Sequence, residues 1–228
     1  MKKALSLILT LVLCLSLCAC GMNATTKKAF NESKEAFEYV TTAYIATNEF
    51  SHDIYEAWYL GVNDKYDYSD EYDLESFANQ MNIELEHIQQ AIANLCGADK
   101  YYYSDKLWES LPKKYNYSYF SAWVAVISEA YKCSGKADEI RKELSNAKDL
   151  MKGLSDNYSD YEHYPALKGY FTTTMAFYDF CRNPEGSFEQ VVETFNNYRN
   201  NARESFFDLN YVFNDSIGGM DKYTKSEE

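Results

Sequence analysis

The stretch KKAFNESKEAFEYVTTAYIATNEFSHDIYEAWYL, residues 27–60, decides the fold class. Its apolar residues do not alternate as in a strand but recur every three to four positions, the period of a helix. Phe30, Phe37, Tyr44 and Trp58 stand in one seven-residue row, and Val40, Thr47 and Ile54 in a second. A third row, Ala29, Ala36, Ala43 and Ala57 with Phe50 among them, is small enough to let a neighbouring helix approach closely. A helix with such faces builds a bundle.

The pattern continues outward. Asp73, a natural N-cap, opens a second segment that Gly97 stops, with Leu74, Met81, Ile88 and Leu95 flanked by Ala78, Leu85 and Ile92. The third runs from Ser118 to Leu154, and its rows keep phase through Ser134-Gly135, which predicts one long helix with a weak point there. The last begins near Pro165 and is interrupted by Asn183-Pro184-Glu185-Gly186, after which Ser187 to Gln190 can form a capping box. Preserved phase there predicts a kink, or a tight break with both halves on the same core. The expectation is an all-α, up-and-down antiparallel four-helix bundle of long helices over residues 27–213, the last helix kinked or broken near Pro184. The connection Ala98 to Tyr117 has room for a short helix, Asp105 to Leu111, and residues 214–228 read as a polar, disordered tail.

A hydrophobic content of 46% supplies one core, hence one domain. Residues 1–19 are different. Lys2 and Lys3 precede an apolar run from Ala4 to Leu17 that is too short for a membrane span, and small residues follow. Leu17-Cys18-Ala19-Cys20 before Gly21 resembles the lipobox of bacterial lipoproteins. That resemblance implies cleavage before Cys20, acyl chains on its thiol and amino terminus, a lipidated tether over residues 20–26, and a place on the extracytoplasmic face of a bacterial cell membrane. Two or more acyl chains anchor stably, since each buried methylene contributes about 0.8 kcal/mol.

Loss of Lys2 and Lys3 with the signal takes the formal net charge from −13 to −15, which disfavours nucleic acid and anionic lipid as partners. Cys96, Cys133 and Cys181 would remain, an odd number, and buried free thiols are their expected state. A Cys96–Cys133 disulfide between neighbouring helices is sterically conceivable.

In an up-and-down bundle the connection after the second helix returns to the tethered end. It holds Lys100, Tyr101, Tyr102, Tyr103, Lys106 and Trp108, residue types that settle at a membrane interface. The connections Gly61 to Tyr72 and Ser155 to Tyr164 would meet at the far end, bringing Tyr66, Tyr68, Asp70 and Tyr72 beside Tyr158, Asp160, Tyr161 and Tyr164. Tyrosine faces beside carboxylates suit sugar rings and cationic peptides. The triplet Tyr-Ser-Asp, which recurs at residues 68–70, 103–105 and 158–160, is most simply helix-start capping.

Two Glu-x-x-His spacings, Glu49 to His52 and Glu84 to His87, match those of di-iron bundles, but the core rows turn them outward. Asp160-Tyr161-Glu162-His163 alone joins a histidine to several carboxylates and matches no calcium loop. No nucleophile elbow, phosphate loop or zinc spacing occurs in the sequence. The resulting expectation is a non-enzymatic, anchored binding module without cofactor or metal, its tip offered to a glycan, peptide or protein. The alternative is a structural or assembly subunit of an envelope complex acting through its helix faces. The pattern sets no oligomeric state.

Overall fold

The computed structural model describes residues 24–62, 71–100, 110–111 and 119–214. Its described helices are α1 (Ala24–Val62), α2 (Glu71–Gln80), α3 (Leu85–Cys96), α4 (Tyr119–Cys133), α5 (Lys136–Asn157), α6 (Tyr164–Arg182) and α7 (Phe188–Phe213). No strand occurs among the described residues, so the fold is all-α.

All three rows of the opening stretch contribute buried residues. Phe37, Val40, Ala43, Phe50, Ile54 and Ala57 are each at most 1% exposed, so apolar surface runs round most of the circumference of α1. Such a helix must be enclosed rather than laid on a surface. It packs against α4, α5, α6 and α7. Phe50 stacks on Tyr131 of α4 with ring centroids 3.9 Å apart. An aromatic pair of this kind contributes about 0.5–1.5 kcal/mol beyond its buried area.

Ring contacts fix the directions. Tyr170 lies against Phe37 and Phe177 against Tyr44, so α6 runs parallel to α1. Phe213 meets Phe30, Phe206 meets Phe37 and Phe188 meets Tyr55, so α7 runs antiparallel. Tyr178 donates to the Ala137 carbonyl at 2.8 Å, and α5 joins α6 at the opposite end, which makes α5 antiparallel to α6 and α1. The second half of α1 is covered by α4, whose Trp123 ring lies 4.5 Å from Phe77 of α2.

The long rods are therefore shorter than the rows suggest. The segment expected from Asp73 to Gly97 breaks after Gln80: Asn82 adopts φ 47°, and Ile83 N–H donates to the Ala78 carbonyl at 3.0 Å, the closure that ends a helix at a left-handed residue. The third segment breaks at Gly135, whose φ of 80° a side chain resists. The last is broken near Pro184, not kinked: α6 and α7 form a hairpin on one core, and Phe180 lies against both Phe195 and Tyr198. The Ser187 capping box forms as the sequence predicts.

The extra break at Asn82 changes the ends of the molecule. With one added reversal in the expected second rod, α5 and α6 run opposite to the directions a four-rod bundle gives them, and the break near Pro184 returns α7 to the expected one. The connection Tyr158 to Tyr164 consequently lies at the starting end of α1, where His163 sits 6.2 Å from Phe213 and Phe213 5.5 Å from Phe30. Tyr72 belongs to α2, whose Gln80 donates to Glu56 near the other end of α1. Phe30 and Glu56 stand on the order of 40 Å apart along one helix. Tyr158, Asp160, Tyr161 and Tyr164 thus cannot share a tip with Tyr72.

Lys100 moves as well. It follows α3, whose Asn94 donates to Glu129 of α4, close to the Phe50–Tyr131 stack. Six residues reach at most about 20 Å, whereas Phe50 stands about 40 Å along α1 from Ala24. The position of Lys100 at the tethered end, and with it the argument for a membrane contact there, falls.

Two glycines test the break. Gly135→Ala forces a side chain into the left-handed region and is expected to cost about 1–2 kcal/mol. Gly153 lies inside α5 with open space where a Cβ would stand, and Gly153→Ala is expected to gain about 0.5–1 kcal/mol. Urea midpoints measure both, and a Gly135→Ala protein as stable as the parent contradicts the break.

Candidate functional site

Cys20, Tyr66, Tyr68, Asp70, Tyr101, Tyr102, Tyr103, Lys106 and Trp108 lie outside the described residues. Of the expected tip, Tyr158 caps the end of α5 and is half-buried, as are Tyr161 and Tyr164, while Asp160 is exposed. Ser159 and Asp160 do not cap α6, whose N-cap residue is His163 with no side-chain bond. That copy of the triplet forms a turn instead, Tyr161 N–H donating to the Tyr158 carbonyl at 2.9 Å.

Cys96, Cys133 and Cys181 are free thiols. Ser110 donates to Cys96, Asn94 to Cys133, and Cys181 is buried beside the Thr47 carbonyl. Glu49 and His52 point outward as expected. Glu84, Glu86 and His87 gather at the start of α3 with ligand atoms within 4.8 Å of one another, but both carboxylates are exposed to water. Acids in a first helical turn need no ion to explain them.

The polar groups of greater interest flank one stretch of α1, residues 47–55. On the α4 side, Tyr131 donates to Asp53 at 2.7 Å. Burial raises the Asp53 carboxyl to about 6, against the lowering effects of the Tyr131 hydrogen bond, Lys136 and His52, with Glu49 adding to the rise. Burial and the Asp53 charge hold the Tyr131 hydroxyl far above its ordinary range, so it remains a donor. Lys136 lies 5.3 Å from the centre of the Tyr131 ring.

On the α7 side, Tyr44, Ser51 and Tyr55 share a stripe facing Arg199. The Arg199 Nη2 donates to Ser51 Oγ at 2.8 Å, and Ser51 in turn donates to the Asn48 carbonyl at 2.7 Å. The Tyr44 hydroxyl donates to the Arg199 carbonyl at 3.5 Å. The Arg199 Nε is buried and has no hydrogen-bond partner. No described carboxylate pairs with this guanidinium. It borders a groove of about 220 Å³ between α1 and α7, lined by His52, Tyr55, Val192, Phe195, Asn196 and Arg199.

Comparison with protein-family models, with curated proteins and with solved structures gives no match. The site is therefore read from its own chemistry. A half-buried arginine carries five N–H donors and a fixed charge, and protein interiors leave such a group unpaired only at a cost. The groove presents that charge beside aromatic walls and two further polar side chains.

Sequence reasoning missed Arg199. The signal was its spacing: it stands four residues after Phe195 and seven before Phe206, both buried, so a cation occupies a core-facing position.

Asp53 gives a pH test. Because its folded pKa of about 6 lies above the ordinary 3.8, the folded chain holds this proton more tightly than the unfolded one. Its contribution to stability is full below about pH 4 and is lost as pH rises to about 6, on the order of 2–3 kcal/mol in total. Asp53→Asn keeps an acceptor for Tyr131 and removes the charge. Urea denaturation across pH 4–7 is expected to show a stability loss in the parent that this variant lacks. Parallel profiles contradict the assignment.

Proposed function

We propose that the chain is a lipid-anchored, extracytoplasmic, non-catalytic binding module whose ligand site is the groove between α1 and α7. The observation that carries the reading is the uncompensated Arg199 guanidinium at an open recess, in a chain whose formal net charge is −13. With so many carboxylates available, a cation left without one at a groove marks a place kept for an external partner. Lipid anchoring is supported by the lipobox resemblance at Leu17 to Cys20. No described helix is long and apolar enough to cross a membrane.

The tether to α1 is short, and His52 lies on the order of 40 Å along that helix from Ala24. An anchored molecule standing on its starting end would hold the groove well clear of the bilayer. The acidic connection around Asp160 and Glu162 would then stand at the anchored end, within reach of repulsion by any anionic headgroups there.

The assembly reading calls for a continuous apolar helix face left uncovered. The large apolar side chains exposed among the described residues are Tyr55, Tyr59, Met175 and Tyr211, spread over α1, α6 and α7. That distribution favours the binding module, and two of the four, Tyr55 and Tyr59, belong to the stretch of α1 beside the groove.

Anchoring is tested by growing the producing cells with labelled palmitate. The parent chain is expected to incorporate label and fractionate with membranes, and Cys20→Ser to lose both. Unlabelled parent protein, or full labelling of the variant, overturns the anchor.

A further inference from the structure

We infer that the α1–α7 groove takes a small organic monocarboxylate carrying an apolar or aromatic body, held by Arg199. This deepens the binding-module reading and rests on it. The guanidinium is a planar fork that matches a carboxylate through two parallel N–H donors. One of its donors is committed to Ser51, and Nε, buried and unpartnered, is free to accept such a partner after a small rotation. The Tyr44 hydroxyl and Ser51 hold the residue from the α1 side, so the charge is positioned rather than loose.

The remaining walls define the rest of the ligand. Val192, Phe195 and Tyr55 offer apolar surface, while Asn196 and His52 add polar contacts at the rim. His52 faces Glu56 at 3.9 Å, and Glu56 also receives the Gln80 amide, so that acid is engaged with partners other than Arg199. A recess of about 220 Å³ is smaller than the usual drug-sized pocket, about 300–1,000 Å³, which restricts the occupant to a small acid.

The strongly negative chain discriminates among anions. A formal net charge of −13 repels a dianion about twice as strongly as a monoanion, so phosphate is disfavoured relative to a carboxylate of similar reach. An apolar body then recovers through burial against Val192 and Phe195 what one ion pair at an open site cannot supply.

The test uses the full chain in detergent micelles, titrated calorimetrically with phenylacetate, with its neutral analogue 2-phenylethanol, and with inorganic phosphate. Phenylacetate is expected to bind at one saturable site with a dissociation constant of about 1 mM. The neutral analogue is expected to bind at least about tenfold more weakly. Arg199→Gln should remove the preference for the acid. Val192→Trp should fill the groove and abolish binding with Arg199 still in place, so that it decides the matter if Arg199→Gln does not fold.

Absence of saturable phenylacetate binding overturns the inference. So does equal binding of the neutral analogue, tighter binding of phosphate, or unchanged binding by folded Val192→Trp. Because palmitate labelling at Cys20 reads the anchor separately, failure here leaves that part of the proposed function standing.

Discussion

The fold depends on the need to cover α1 from several sides. Three apolar rows on one helix cannot be satisfied by a single neighbour. The alanine row admits close approach, while Phe37 and Phe50 fill the wider gaps. The other elements answer that demand in two sets. One end of α1 is wrapped by α5 and α6 and the other by α4 with the α2–α3 pair beyond it, while α7 runs along both. The polar layer of Asp53, Tyr131, Ser51 and Arg199 falls near the boundary between the two sets, where helices change partners and packing leaves room for hydrogen bonds and a recess.

Much of the helical content was legible in the sequence because it depends on local chemistry. Pro165 in the first turn of α6, the Ser187 capping box and the left-handed Gly97 after α3 stand where their residue types belong. The topology was not legible, for a specific reason. Met81 and Ile88 stay in the same seven-residue row across the break at Asn82, and both are buried. Phase continuity shows that two helices face one core, but it does not show that they share an axis. Asparagine is the ordinary residue most tolerant of the left-handed conformation, and that tolerance was the only local warning.

One unseen reversal was enough to exchange the ends of the connections around Lys100 and Asp160. The tyrosines around Asp160 went to the starting end of α1, and Lys100 to its second half. The candidate groove was hidden for a related reason. Its components come from α1 and from the far end of the chain, and only Arg199, a cation at core spacing, leaves a trace in the linear pattern.

The enclosure of α1 also bears on how the chain reaches its native state during synthesis. The first described helix is the one whose covering is completed by the last described one, since Phe30 meets Phe213. Phe50, Phe37 and Tyr44 find partners earlier in the chain, in α4 and α6, but the contact of Phe30 with Phe213 closes a loop almost as long as the described chain. Assembly that proceeds along the chain therefore builds the cover of α1 piece by piece and completes it only with α7.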